Sequence, residues 1–168
     1  CIFGANMTTM TLAFSRALAR SWKPGDRILV TQLDHDGNVT PWTLAARDAG
    51  AEVVQVKVNL DDATLDEADF KAKLNDRTKL VAFTAASNSV GSTTPIAKLT
   101  KMAHAVGAEV YIDAVHWAPH RLIDVQAWDV DYCICSAYKF FGPHIGMLWG
   151  RLERLEELTA YKLRPSPA

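Results

Sequence analysis

Hydrophobic positions in this chain come in blocks and do not alternate strictly with polar ones. Short apolar runs rich in β-branched residues occupy positions 27–31, 52–58, 79–84, 109–112, 132–135 and 146–149, and each predicts a strand. Between them, positions 7–20, 41–49, 65–74 and 96–106 carry the spacing of amphipathic helices, and Gly107 suits the end of the last one. Strands that are apolar nearly throughout, separated by helices, must be covered on both faces. The pattern therefore predicts an α/β fold, a mostly parallel open sheet with helices on both faces.

In such sheets ligands gather beyond the carboxyl ends of the strands. The loops at those ends are rich in chemistry. Leu33-Asp34-His35-Asp36-Gly37-Asn38 follows the first run, and Ala85-Ala86-Ser87-Asn88-Ser89-Val90-Gly91 follows the third. Asp113-Ala114-Val115-His116 follows the fourth, and Ser136-Ala137-Tyr138-Lys139 the fifth. Polar loops are common, so the convergence of these four on one rim is the stronger observation.

Composition narrows the classes. The 168 residues are 49% hydrophobic, enough for one domain with a substantial core. A formal charge of -1 gives no electrostatic reason to expect nucleic acid or an anionic membrane. No apolar run reaches the roughly 20 residues of a bilayer crossing, and positions 1–6 lack the pattern of a signal peptide. Three cysteines do not make a disulfide framework, which points to a reducing cytoplasm. Cys133 and Cys135 read as small apolar residues of a buried strand. Both ends look cut: Cys1-Ile2-Phe3-Gly4 leads directly into a helix pattern, and the chain closes on Arg164-Pro165-Ser166-Pro167.

Lys139 lies between an apolar strand and two phenylalanines, where partial desolvation would favour a neutral, nucleophilic amine. The segment alone also suits a surface lysine. Asp113 would be a carboxylate at the tip of a buried strand, or equally a loop acid. Phe3-Gly4-Ala5-Asn6-Met7-Thr8-Thr9 places small and polar residues at a helix start, where backbone N–H groups could hold a phosphate. Neither nucleotide fingerprint, G-x-G-x-x-G after a strand nor G-x-x-x-x-G-K-[ST], is present. Asp113, His116 and His120 can be written as a metal site, but Pro119 breaks the helix that would align the histidines, and no metal is expected.

Asp113-Ala114-Val115-His116, followed after 26 residues by Lys139 in Ser136-Ala137-Tyr138-Lys139-Phe140-Phe141-Gly142-Pro143, carries a resemblance. The chain resembles the large domain of fold-type I pyridoxal-phosphate enzymes of the class V aminotransferase group, especially cysteine desulfurases. The resemblance implies pyridoxal 5'-phosphate as cofactor, with Lys139 as the Schiff-base lysine that later moves protons. It implies that Asp113 pairs with the pyridine nitrogen, and that His35 stacks on the ring and acts as acid or base. Asn88 would stand near the phenolic oxygen, and Ser136 would bind the phosphate with the Ala5 and Asn6 backbone. His116, Tyr138 and Asn6 depart from the family's usual glutamine, histidine and threonine, though each can hydrogen-bond, and Met7 replaces a usual acid. His116 and Tyr138 are thus expected among the cofactor's contacts in a divergent subfamily.

The resemblance further implies an amino-acid substrate, a homodimer and a sulfur-acceptor protein. Residues 1–168 would be the cofactor-binding large domain, incomplete, with the smaller domain absent. The substrate-gripping arginine and the sulfur-accepting cysteine are expected beyond Ala168, since Cys1, Cys133 and Cys135 do not match the latter's loop. The leading activity is cysteine desulfuration or selenocysteine lysis. Transamination, epimerisation or another lyase reaction is the alternative, and a non-catalytic cofactor-domain fragment is a further one.

Overall fold

The computed structural model describes residues 1–159 and Tyr161. In chain order the strands are β1 (Ile2–Gly4), β2 (Arg27–Thr31), β3 (Glu52–Val56), β4 (Thr78–Thr84), β5 (Glu109–Asp113), β6 (Tyr132–Ser136) and β7 (Gly146–Gly150). The helices are α1 (Met7–Leu18), α2 (Thr40–Ala49), α3 (Glu67–Lys73), α4 (Ile96–His104), α5 (Val125–Trp128) and α6 (Leu152–Glu157). One sheet runs in the order β1-β7-β6-β5-β4-β2-β3. From β6 to β3 all neighbours are parallel, while β7 and β1 close one edge antiparallel. This is the mostly parallel α/β sheet that the apolar blocks predict.

Each central strand buries both faces. Ile28, Val30, Leu80, Ala82, Tyr111, Tyr132 and Ile134 pack with Met10, Phe14 and Leu18 of α1 and Trp42 of α2. Leu29, Val81, Phe83, Val110, Ile112 and Cys133 pack with Phe70 of α3 and Leu99 and Ala103 of α4. Strand parity then decides where the polar strand ends face. Asp113 falls two residues after Tyr111, and Ser136 two after Ile134, so both face the layer of α1 and α2. The register sets Thr84 beside Asp113 and Asp113 beside Ile134, so the strand ends form one rim.

Several boundaries differ from the sequence pattern. β1 is a three-residue edge strand held by pairing with β7, too short for periodicity to reveal, where the sequence suggested direct entry into a helix. β3 ends at Val56; Val58 instead bridges Leu65, which leaves the helix to begin at Glu67. Asp66 fixes that start by accepting from Asp69 N–H at 2.9 Å. The helical pattern from Met7 tightens into a 3-10 turn at Ala19–Ser21, and α4 stops at His104, three residues before Gly107 at φ 80°. α5 and α6 are short helices that the pattern does not announce. The Arg164–Pro167 tail lies outside the described residues.

Cys133 and Cys135 are buried in β6, where burial pushes both thiols up, and Cys1 is exposed. None of the three is in a disulfide. No described helix is long and apolar enough to cross a membrane.

Candidate active site

A cleft of about 170 Å³ opens at the carboxyl ends of β4, β5 and β6, against the start of α1. His35, Asn88, Asp113, His116, Ser136, Tyr138 and Lys139 all line it. Loops up to 104 residues apart in sequence, from His35 to Lys139, thus meet at one place.

Among the described residues, Asp113 is the buried ionisable group of the cleft, 4% exposed. Its Oδ1 accepts from Val115 N–H at 2.8 Å, and among the described residues Oδ2 has no hydrogen-bond partner. Burial pushes its pKa up to about 6, against the lowering effect of the Val115 bond and of nearby His35. The group is therefore poised to gain from a cation placed against it.

His35 is held by the 3-10 turn Asp36–Asn38. Its Nδ1 accepts from Gly37 N–H at 2.9 Å, so the neutral ring carries its proton on Nε2. A Cβ at Gly37 would lie 3.0 Å from that Nδ1 and 2.9 Å from Thr8 Oγ1, which explains the glycine.

At the opposite wall, Met7 N–H donates to Ser136 Oγ at 2.8 Å. Ser136 donates to no described residue, so its own proton is free for a ligand. Asn6 caps α1, its side chain accepting from Thr9 N–H at 2.8 Å. Ala5 faces the apolar groove beside β1, and Met7 and Thr8 form the cleft wall at the positions where Ala5 and Asn6 were expected.

Lys139 stands on the 3-10 turn Ala137–Phe140. The expected desolvation is corrected: the lysine is exposed, Phe140 is only half-buried and Phe141 is fully exposed. The turn explains this. Phe141 takes a left-handed φ of 65°, and Gly142 N–H returns to Ala137 O at 2.8 Å, so the chain doubles back and its aromatic ring is thrown outward. Lys139 Nζ instead lies 5.8 Å from the Tyr138 ring centre, and Tyr138 stacks on His144 with centres 4.8 Å apart.

Asn88 is exposed and His116 half-buried. The His116 and His120 rings meet edge-on at 5.4 Å, on a segment of turns and not on a helix. Among the described residues no three His, Cys, Asp or Glu side chains are placed to hold a metal ion. Sequence reasoning missed Thr84, Ala86 and Val115 in the wall; small residues just past strand ends give no signal of their own.

Residues 1–164 match the aminotransferase class-V family. The chain belongs to that family. It is 36% identical over 143 residues to a cysteine desulfurase of Dickeya dadantii, covering 84% of this chain and 34% of the relative. It is 39% identical over 146 residues to one of Synechococcus elongatus, covering 83% and 23%. The crystal structure of a cysteine desulfurase from Escherichia coli superposes with a TM-score of 0.89 at 29% identity, over 94% of this chain and 40% of that one. Against these curated relatives, the chain spans about a quarter to a third of their length.

Proposed function

We propose that the cleft holds pyridoxal 5'-phosphate, attached through the Lys139 amine, and forms part of the active site of a cysteine desulfurase-like enzyme. The observation that carries this reading is the meeting of Lys139, the buried Asp113 and the Ser136–Met7 pair in one cleft of a class V chain. When bound, the cofactor would supply a ring that accepts electrons from a substrate carbanion. The residues present fit it. Asp113 offers a free carboxylate oxygen for a protonated ring nitrogen, and its charge favours that proton. Ser136 Oγ and the N-terminal end of α1 offer donors to a phosphate.

His35, with its proton on Nε2, stands at the mouth to cover the ring and exchange a proton there. Asn88, His116 and Tyr138 complete the polar wall. Lys139, exposed on its turn, would hold the cofactor through its amine and could carry protons to and from the substrate. In the same reading the chain is the cofactor-binding domain of a longer protein, which supplies the arginine for the substrate carboxylate and the cysteine that accepts sulfur. The exposed Phe141 beside the cleft supports a homodimer in which the second subunit covers it. A sulfur-acceptor protein is the expected partner, and three unpaired thiols suit a reducing cytoplasm.

Borohydride reduction with pyridoxal phosphate, followed by peptide mapping, tests the attachment. The adduct is expected on Lys139 and absent from Lys139→Ala. Cofactor found on Lys73, Lys98 or Lys101, or on no lysine, would overturn the assignment. Product analysis with cysteine should give alanine and transferable sulfur; keto-acid formation from other amino acids would favour transamination instead.

A further inference from the structure

Asp34 sits between the end of β2 and His35, and the roles given above make no use of it. Its Oδ1 accepts from Asn38 Nδ2 at 2.8 Å, and its Oδ2 is hydrogen-bonded to Thr31 Oγ1. Asn38 is itself pinned, since its Oδ1 accepts from Trp42 Nε1 at 3.0 Å and both residues are fully buried. Trp42 meets Tyr111 edge-on with ring centres 4.7 Å apart, two residues before Asp113 on β5. Side-chain contacts therefore run without a break from Asp34 to the strand that carries Asp113. Gly37, packed between His35 Nδ1 and Thr8, leaves the same loop no slack on its other side.

We propose that Asp34 is a positioning residue: through its bonds to Thr31 and Asn38, its carboxyl group locks the loop that presents His35 to the cleft. It does so as an uncharged acid. Both hydrogen-bond partners are neutral, and among the described residues no cation pairs with it. Asp113 is the charged group that acts on it, and the small cavity beside it is walled by uncharged groups such as Gln32, Ser87 and Ser89. Burial pushes its pKa up to about 8, opposed by the Thr31 and Asn38 bonds and reinforced by Asp113. Below that pH the loop is held by a neutral acid, and above it a second negative charge faces Asp113.

The inference rests on the reading of His35 as a cofactor contact, and two variants test it. Asp34→Asn keeps the shape and an acceptor for Asn38, and its amide can pair with Thr31 Oγ1 in the reversed sense, without a titrating charge. Asp34→Ala keeps none of these. We expect Asp34→Asn to bind pyridoxal phosphate within about threefold of the parent, and Asp34→Ala about tenfold or more weaker, the equivalent of a single lost hydrogen bond. The absorbance of the bound cofactor should change between about pH 7 and 9 in the parent and not in Asp34→Asn. The His35 ring resonance in NMR should match the parent in Asp34→Asn and move in Asp34→Ala. An Asp34→Asn protein as weak as Asp34→Ala would overturn the neutral-acid role, and an Asp34→Ala protein matching the parent in affinity and His35 resonance would overturn positioning altogether. Were the parent to capture no cofactor on Lys139, the functional reading would fail, while the His35 resonances of the three proteins would still decide this inference.

Discussion

In the proposed site, Asp113 and Lys139 would obtain their reactivity in different ways. Asp113 is held by burial, with its pKa pushed up to about 6, whereas Lys139 is exposed and depends on its turn for placement. For Asp113 the folded pKa lies above the unfolded one, so folding binds its proton, and the resulting stability is lost as pH rises from about 4 to 6. At pH 7 the penalty is about 3 kcal/mol. Asp113→Asn should therefore raise the melting temperature of the cofactor-free protein at pH 7, and have little effect at pH 4. It should also cut turnover of the whole enzyme about 100-fold or more, since the electron sink loses its pyridinium partner. A variant with near-normal turnover, or one destabilised at pH 7, would count against this role. Both residues were legible as a motif with fixed spacing. The exposure of Lys139 was not, because only the left-handed turn at Phe141 decides which way the phenylalanines point.

In the proposed site, the element that matters most for the cofactor's phosphate is α1, and its position is set by the closeness of β7. A Cβ added at Gly146 would lie 2.6 Å from the Asn6 carbonyl carbon and 2.7 Å from Met10 Sδ. Backbone cannot yield there as a flexible side-chain tip would. Gly146→Ala should push the helix start away from Ser136 and break the Met7 N–H to Ser136 Oγ bond, at a cost of about 1–3 kcal/mol. Cofactor affinity should fall roughly tenfold or more, the equivalent of about 1.4 kcal/mol at the phosphate. Unchanged affinity in a folded Gly146→Ala protein would show that α1 does not depend on this contact. The sequence announced α1 by its periodicity and its start by Gly4 and Asn6. It could not announce β1, whose three residues are strand only because β7 pairs with them, nor the bridge of Val58 with Leu65 that shortens α3. Those are long-range or loop pairings, with no local pattern to betray them.

At the scale of the whole molecule, the sheet desolvates acids at both of its ends. Asp34 and Asp113 stand at the carboxyl end and Glu109 at the start of β5, and burial raises the pKa of all three. Apolar blocks made the sheet and its two-sided cover readable from sequence. They did not reveal this charge arrangement, because Asp34 reads as an ordinary loop acid until Asn38, itself held by Trp42, is seen donating to it. Each raised acid contributes stability that is complete below the unfolded pKa near 4 and lost as pH climbs to its folded value. The cofactor-free protein should therefore lose stability between about pH 4 and 8 through Asp34 and between about 4 and 6 through Asp113. Asp62 and Asp69, lowered by hydrogen bonds to Thr64 and Lys73, act in the opposite sense, so the comparison with variants is the informative one. The double variant Asp34→Asn, Asp113→Asn should melt increasingly above the parent as pH rises from 4 to 8, then at a constant margin beyond. Thermal melts of both proteins across that range, without pyridoxal phosphate, provide the measurement. A margin that is flat with pH, or that shrinks as pH rises, would mean that neither acid is held protonated by the fold, and would remove the basis for the uncharged-acid role of Asp34.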